Sequence, residues 1–244
     1  MRGYLETGRT PVVLLSFRLF IGALALLPLT FCVRTRLLPV TIAADTAQRL
    51  IDYSVAIGYG AGTELRGTGM LIPKKGMILT NEHILGADTR CKISLDGIQF
   101  YDAFVTARHS DLDLSVLKIE TGASAPPPSM QWPEIHEQVR PGLPVVAFGS
   151  AFGLHQTYMQ GFVSHPERRG LRGQPDSTYY IQMQGITYPG MSGAPVFDLE
   201  GQWLGINRAA YGYSTTTGTG LVIPARIIVD WLDSLPLSPS HDAQ

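Results

Sequence analysis

From Tyr53 onward, short apolar runs alternate with glycines and polar turns: SVAIGYG, GTGMLI, GMILT, CKISL, DAFVTA, DLSVLKI, VVAFGS, TYMQGFVS, TYYIQMQG, GAPVF, QWLGIN and GTGLVIP. Runs of this length, rich in β-branched and aromatic residues and bounded by turn formers, predict β-strands. Helical spacing is confined to two places. Ile84 to Ala87 can form one short turn, and between Pro224 and Leu235 the residues Ile227, Ile228, Trp231 and Leu232 recur at helical spacing behind a proline suited to a first turn. The pattern predicts an all-β body with a C-terminal helix. Pro126, Pro127 and Pro128 cannot sit in a central strand, so the stretch from Glu120 to Gly142 reads as a connection between two sheets. Two halves of similar size result, about 53–120 and 141–224, and residues 236–244 form a short polar tail. No self-similar period is visible.

Composition narrows the class. Hydrophobic residues make up 45% of the 244 and charged residues only 16%, against about 25% in an average domain, which excludes wholesale disorder. Lys and Arg total 19 against 20 Asp and Glu, a formal net charge of -1, so no bulk field draws the chain to nucleic acid and no nucleic-acid partner is expected. The 2 cysteines, Cys32 and Cys91, lie far apart and form neither a bridge framework nor a C-x-x-C metal pair. No metal or organic cofactor is expected.

The N-terminus differs from the rest. Arg2, Arg9 and Arg18 precede the uncharged run Leu19–Val33, which Arg34 and Arg36 follow. A cleaved secretory signal fits the basic opening, with small residues at Ala43 and Ala44 as the cleavage candidate. An uncleaved anchor fits if the span reaches back through Pro11 to Leu15 and includes Arg18. A buried or disordered extension of a cytoplasmic protein is the plain alternative. Residues 1–44 are thus read as a signal or signal-anchor with a linker, and the membrane as a partner through that segment.

Three local patterns carry chemistry. In Leu79-Thr80-Asn81-Glu82-His83 an apolar strand ends in a polar turn that presents a histidine; Asp113 opens the strand DLSVLKI; and Gly190-Met191-Ser192-Gly193-Ala194-Pro195 sets a serine between glycines. Acyl transfer needs a nucleophile, a base to take its proton and a third group to orient the base. Ser192, His83 and Asp113 supply those roles, while the backbone N–H groups of Gly190 and Ser192, flanking Met191, supply an oxyanion site. The chain order His, Asp, Ser differs from that of subtilisins and α/β-hydrolases, and Ala194 breaks the G-x-S-x-G elbow. Each residue has a plainer reading. Ser192 could be an ordinary turn, Asp111 rivals Asp113, and His109, His136, His155 and His165 rival His83. Gly67 to Gly69 lacks the phosphate-loop pattern and reads as a strand entry.

These blocks, in order from about Val55 to Trp231, resemble the trypsin-like serine proteases of the HtrA (Deg) family: GTGMLI, Thr80 to His83, DLSVLKI, AFGSAFGLHQTYMQGFVS, PGMSGAPVF, GQWLGIN and GTGLVIP. The resemblance implies a chymotrypsin-like fold of two six-stranded β-barrels, a protease domain over 45–235, and a serine endopeptidase acting on protein or peptide substrates. It places the specificity pocket and substrate strand at Ile186, Thr187 and Tyr188, at Asn207, Arg208, Ala209 and Ala210, and at Thr217 to Gly220. It implies a cell-envelope or secreted setting, a homotrimer as one oligomeric state, and a sensor loop at Arg168, Arg169 and Arg172. The chain departs from the family pattern at Met191, usually Asn, and at Ala194, usually Gly, and no PDZ domain is expected after Trp231. Those two departures motivate a rival reading, a pseudoprotease that grips extended peptides without turnover. Arg208 is read as solvent-exposed, and the tyrosines at 179, 180, 188, 211 and 213 as ordinary packing.

Overall fold

Several strands are buried at every position rather than at alternate ones, and the architecture explains why. The computed structural model describes residues 41–58, 64–73, 77–120, 130–171, 178–210 and 219–235. Among them β1 (Ser54–Gly58), β2 (Leu65–Ile72), β3 (Met77–Thr80), β4 (Arg90–Ser94), β5 (Tyr101–His109) and β6 (Leu114–Ile119) close one antiparallel barrel in the order β1-β2-β3-β6-β5-β4. A second barrel closes from β7 (Pro144–Gly149), β8 (Thr157–Arg168), β9 (Tyr180–Gln184), β10 (Pro195–Asp198), β11 (Trp203–Ala210) and β12 (Thr219–Pro224), in the order β10-β11-β12-β9-β8-β7.

Three apolar cores follow from this arrangement. Val55, Ile57, Ile78, Ile93 and Leu117 fill the first barrel, and Val145, Ala147, Met183, Val196 and Val222 fill the second. The third core lies in the seam between barrels, where Met70, Leu79, Leu114 and Val116 meet Val146, Phe148, Phe197 and Ile223. Side chains alternate across a strand, so Ile78 enters a barrel while Leu79 enters the seam, and Val222 and Ile223 divide in the same way. Burial on both faces turns an alternating pattern into a continuous one.

The helices correct the sequence reading in detail. The short turn begins two residues earlier than expected, as α2 (Glu82–Leu85), so His83 sits inside it. The C-terminal helix, α3 (Ala225–Ser234), buries Ala225, Ile228, Trp231 and Leu232. A further helix, α1 (Ala44–Ile51), was not expected; it buries only Thr46 and Leu50, and Ala43 before it offers no side-chain cap. The described part of the connection is not free of the barrels. Ile135 bridges Trp203, whose N–H donates to Glu134 O at 2.6 Å and whose O accepts from His136 N–H at 3.0 Å. No helix among the described residues is long and apolar enough to cross a membrane; Leu19–Val33, Pro126–Pro128 and 236–244 lie outside those residues.

Candidate active site

His83 is held by two contacts to one carboxylate. Its backbone N–H donates to Asp113 Oδ1 at 2.9 Å, and its Nδ1 lies 2.7 Å from Asp113 Oδ2. In the neutral tautomer that donates from Nδ1, Nε2 keeps its lone pair and can accept a proton. The His83 side chain is 45% exposed and that of Asp113 8%. Asp113 occupies the left-handed region at φ 57°, a conformation Asp and Asn tolerate better than most residues. Three contacts fix it there: its N–H donates to Ser110 O at 3.1 Å, and its carbonyl accepts from Asn81 Nδ2 at 3.0 Å and from Glu82 N–H at 3.2 Å. Asn81 thus holds the turn that carries the carboxylate. Asp111 is exposed in the same turn.

The rival histidines are engaged elsewhere. His109 stacks edge-on against Trp231 with ring centroids 5.8 Å apart, and His136 Nδ1 lies 2.6 Å from Asp198 Oδ2. His155 Nε2 is 3.4 Å from Leu95 O, and His165 Nδ1 accepts from Glu167 N–H at 3.1 Å.

Ser192 sits in a turn whose carbonyls are all anchored. Tyr188 O accepts from Met191 N–H at 2.9 Å, Pro189 O from Phe152 N–H at 2.8 Å, and Gly190 O from Thr68 Oγ1 at 2.8 Å. Met191 O accepts from Asn207 Nδ2 at 2.9 Å and from Ala194 N–H at 3.1 Å, and Ser192 O from Thr68 N–H at 2.8 Å. In a trans peptide the N–H points opposite to the C=O. Tying Pro189 O and Met191 O to the body therefore turns the N–H groups of Gly190 and Ser192 away from it, and among the described residues neither has a backbone acceptor. Gly190 has φ 89°, and a Cβ there would meet Ser150 O at 2.0 Å, so glycine is required. No hydrogen bond links Ser192 Oγ to His83 Nε2 among the described residues; such contacts often close only with substrate in place.

Thr68, which the sequence reading did not single out, joins the two barrels at this point. Besides the bonds to Gly190 and Ser192, its Oγ1 accepts from Ser150 N–H at 2.8 Å, and its O accepts from Thr80 Oγ1 at 2.7 Å. The available signal was local: a lone hydroxyl between Gly67 and Gly69 inside an apolar strand. The departures at Met191 and Ala194 lie beneath this network. Both side chains are fully buried in the core of the second barrel, so neither faces the oxyanion site, and they lend no support to a non-catalytic reading.

Around the anticipated pocket, Ile186 is fully buried, Thr187 Oγ1 donates to Asn207 Oδ1 at 2.7 Å, and a Cβ on Gly220 would lie 1.8 Å from Thr187 Oγ1. Tyr188 stacks with Phe152, ring centroids 5.9 Å apart. Ala209 and Ala210 continue β11, pairing with Leu221 and Gly220. Residues 211–218, including Tyr211, Tyr213 and Thr217, and Arg172 lie outside the described residues.

Arg208 departs from expectation. Rather than facing solvent, its side chain is 19% exposed, and its Nε lies 3.0 Å from Asp113 Oδ2. That nitrogen is buried and poorly aligned for a hydrogen bond, so charge rather than direction carries the contact. Its Cζ lies 5.5 Å from the ring centre of Tyr180. Burial pushes the Tyr180 phenol above its ordinary range, the Arg208 charge opposes that, and Asp113 adds to it. No group of three His, Cys, Asp or Glu among the described residues is arranged to hold a metal ion.

The family model described as "Trypsin-like peptidase domain" matches residues 67–206. Serine protease HTRA1B of Danio rerio is 32% identical over 180 residues, covering 73% of this chain and 35% of that protein. A probable periplasmic serine endoprotease, DegP-like, of Rhizobium meliloti (strain 1021) is 32% identical over 171 residues, covering 70% of this chain and 33% of that protein. The chain thus spans about a third of the length of these curated relatives. Among solved structures, an inactive form of Rv3671c from M. tuberculosis H37Rv superposes with a TM-score of 0.63 at 20% identity, covering 80% of this chain and 92% of the other. At that identity the likeness concerns the fold.

Proposed function

Because the chain belongs to the trypsin-like peptidase domain family and is of the HtrA type, we propose that it is a serine endopeptidase cleaving extended or unfolded polypeptides through an acyl-enzyme. The observation that carries this reading is the anchoring of every carbonyl from Tyr188 to Ser192, which leaves Gly190 and Ser192 N–H to receive an oxyanion. His83 takes the Ser192 proton as Oγ attacks the scissile carbonyl and returns it to the leaving amine, while Asp113 holds the tautomer and balances the imidazolium. The charge that develops on the carbonyl oxygen is met by the two N–H groups, each donor worth roughly 10²–10³ in rate. Water, activated by His83, then hydrolyses the ester.

Substrate would pair by its main chain with β11 at Asn207 to Ala210, which gives affinity with little demand on sequence. Ile186, Thr187, Tyr188 and Gly220 would form the pocket, without a carboxylate, so a small or medium aliphatic side chain is favoured at P1. The basic flanks of Leu19–Val33 and the similarity to a periplasmic relative support a setting in the cell envelope. The test is labelling by a fluorophosphonate, together with cleavage of an unfolded protein, in wild type and Ser192→Ala. Labelling that survives in Ser192→Ala would overturn the assignment.

A further inference from the structure

Asp113 is shared between the barrels. Oδ2 faces both His83 Nδ1 at 2.7 Å, from its own barrel, and Arg208 Nε at 3.0 Å, from the other, while Oδ1 is taken by His83 N–H at 2.9 Å. We propose that Arg208 is a positioning residue: a fixed cation that clamps the triad carboxylate across the cleft and thereby sets the pH range in which His83 works as a base. The proposal rests on the catalytic reading given above.

Its geometry originates in the backbone. Along β11, Asn207 pairs with Val222 and Ala209 with Leu221, so the register shifts by one residue and Arg208 is left as the bulge. A bulge re-aims a side chain, and here it turns a residue in a substrate-facing strand onto Asp113. The guanidinium then lies over the Tyr180 ring, with Asp113 the acidic partner within ion-pair reach among the described residues. A largely buried cation is tolerable only when paired, and the pairing uses charge that would otherwise recruit acidic side chains from a substrate.

The consequence for catalysis is electrostatic. A carboxylate that already faces a fixed positive charge stabilises a second one less, so the imidazolium of His83 gains less from Asp113 than it would beside a neutral donor. His83 therefore stays base-competent to lower pH with Arg208 present than without it. The other ionisable neighbours do not take over this role. Burial raises the Tyr180 phenol and keeps it neutral, while Glu82 is engaged by Arg108 Nη1 at 3.4 Å and by Ser110 Oγ at 3.1 Å. His109 packs on Trp231, and Asp111 is exposed in the turn before Asp113.

The test is the pH dependence of fluorophosphonate labelling rate for wild type, Arg208→Met, Arg208→Gln and Arg208→Lys, each checked for folding by thermal unfolding. In Arg208→Met the midpoint of the acid limb should rise by about one pH unit, so that labelling on that limb slows about tenfold relative to its own plateau. Arg208→Lys, which keeps the charge, should recover most of that shift. Should Arg208→Met not fold, Arg208→Gln, which retains a donor without charge, gives the same reading. A Met or Gln profile that overlays wild type, or a Lys profile displaced as far as Met, would overturn the clamp. Wild type that is not labelled at all would bring down the catalytic reading itself and the clamp with it; wild type labelled with an unmoved midpoint in the variants brings down the clamp alone.

Discussion

Thr68 Oγ1 donates to Gly190 O at 2.8 Å, joining residues 122 positions apart and on different barrels. The same oxygen accepts from Ser150 N–H, and the Thr68 backbone N–H holds Ser192 O, so one side chain and its own peptide fix both ends of the oxyanion turn. Thr68→Val keeps the shape and removes the hydroxyl, leaving the part-buried carbonyl of Gly190 and the buried N–H of Ser150 without this partner, at a cost of up to about 1–3 kcal/mol each. We expect kcat to fall by one to two orders of magnitude with KM little changed, and Thr68→Ser to restore most of the loss. Steady-state kinetics on a peptide substrate would check it; equal activity in Val and Ser variants would contradict it.

Gly193 has φ 81°, and a Cβ there would lie 1.9 Å from Thr68 O. Both the dihedral and the backbone clash oppose any side chain. Gly193→Ala should cost about 2–4 kcal/mol and lower Tm by roughly 10 °C, while abolishing labelling of Ser192. Calorimetry beside probe labelling separates the two effects.

Removal of Ser192, His83 or Asp113 should each lower kcat by several orders of magnitude, and the losses should not add, because in the proposed mechanism the three act as a unit. Asn is the informative replacement for Asp113, since it tolerates the left-handed backbone at φ 57° that a β-branched residue would strain. Turnover undiminished in His83→Ala would refute the base assignment.

His155 gives a stability prediction with a definite sign. Burial depresses its imidazole below the ordinary value of 6.5, only partly offset by Leu95 O and Asp96. The unfolded chain therefore binds the proton first, and stability falls as pH drops from about 6.5 toward the lower folded value. Tm measured across that window should decline in wild type and decline less in His155→Gln. Parallel curves would exclude the contribution.

Cleavage-site profiling on an unfolded protein should find few cuts after Lys or Arg, because no Asp or Glu lies at Ile186 to Tyr188 or Asn207 to Ala210 and an unpaired charge there would be costly. Gly220→Val would not simply narrow the pocket. Its Cβ would displace Thr187 from Asn207, which in turn holds Met191 O, so this variant should lose turnover on every substrate rather than change preference. A clean shift to smaller P1 residues would show the space to be more adaptable.

What could be read in the sequence was local. Ser192 sits between glycines and His83 and Asp113 sit at strand ends, while strands buried on both faces leave the continuous apolar runs that mark an all-β body in two halves; closure into two barrels was legible only through the family resemblance. What escaped depended on distance or register. The task of Thr68 exists only once two barrels meet, and nothing in its neighbours names Gly190. The direction of Arg208 turns on a single-residue bulge between Asn207 and Ala209, which no alternation rule can anticipate. Helix α1 escaped because it buries two side chains and carries no cap.

The bonds from Thr68 to Gly190 and Ser192 also bear on how such a molecule is made. During synthesis the chain emerges N-terminus first and folds domain by domain. The stretch that carries Thr68, His83 and Asp113 is therefore made before Ser192 leaves the ribosome, whereas the seam core, with Met70 and Leu79 on one side and Val146 and Phe197 on the other, can form only afterwards. Among the described residues, the carbonyls of Gly190 and Ser192 are held by Thr68 of the first barrel and by no donor of the second. A nascent or half-folded chain thus carries Ser192 in a turn still missing two of its anchors and with no His83 beside it, so under the proposed function hydrolytic competence would arrive last, with the docking of the two halves. Under the proposed function the seam would act as a safety catch, confining peptide hydrolysis to molecules that have finished folding.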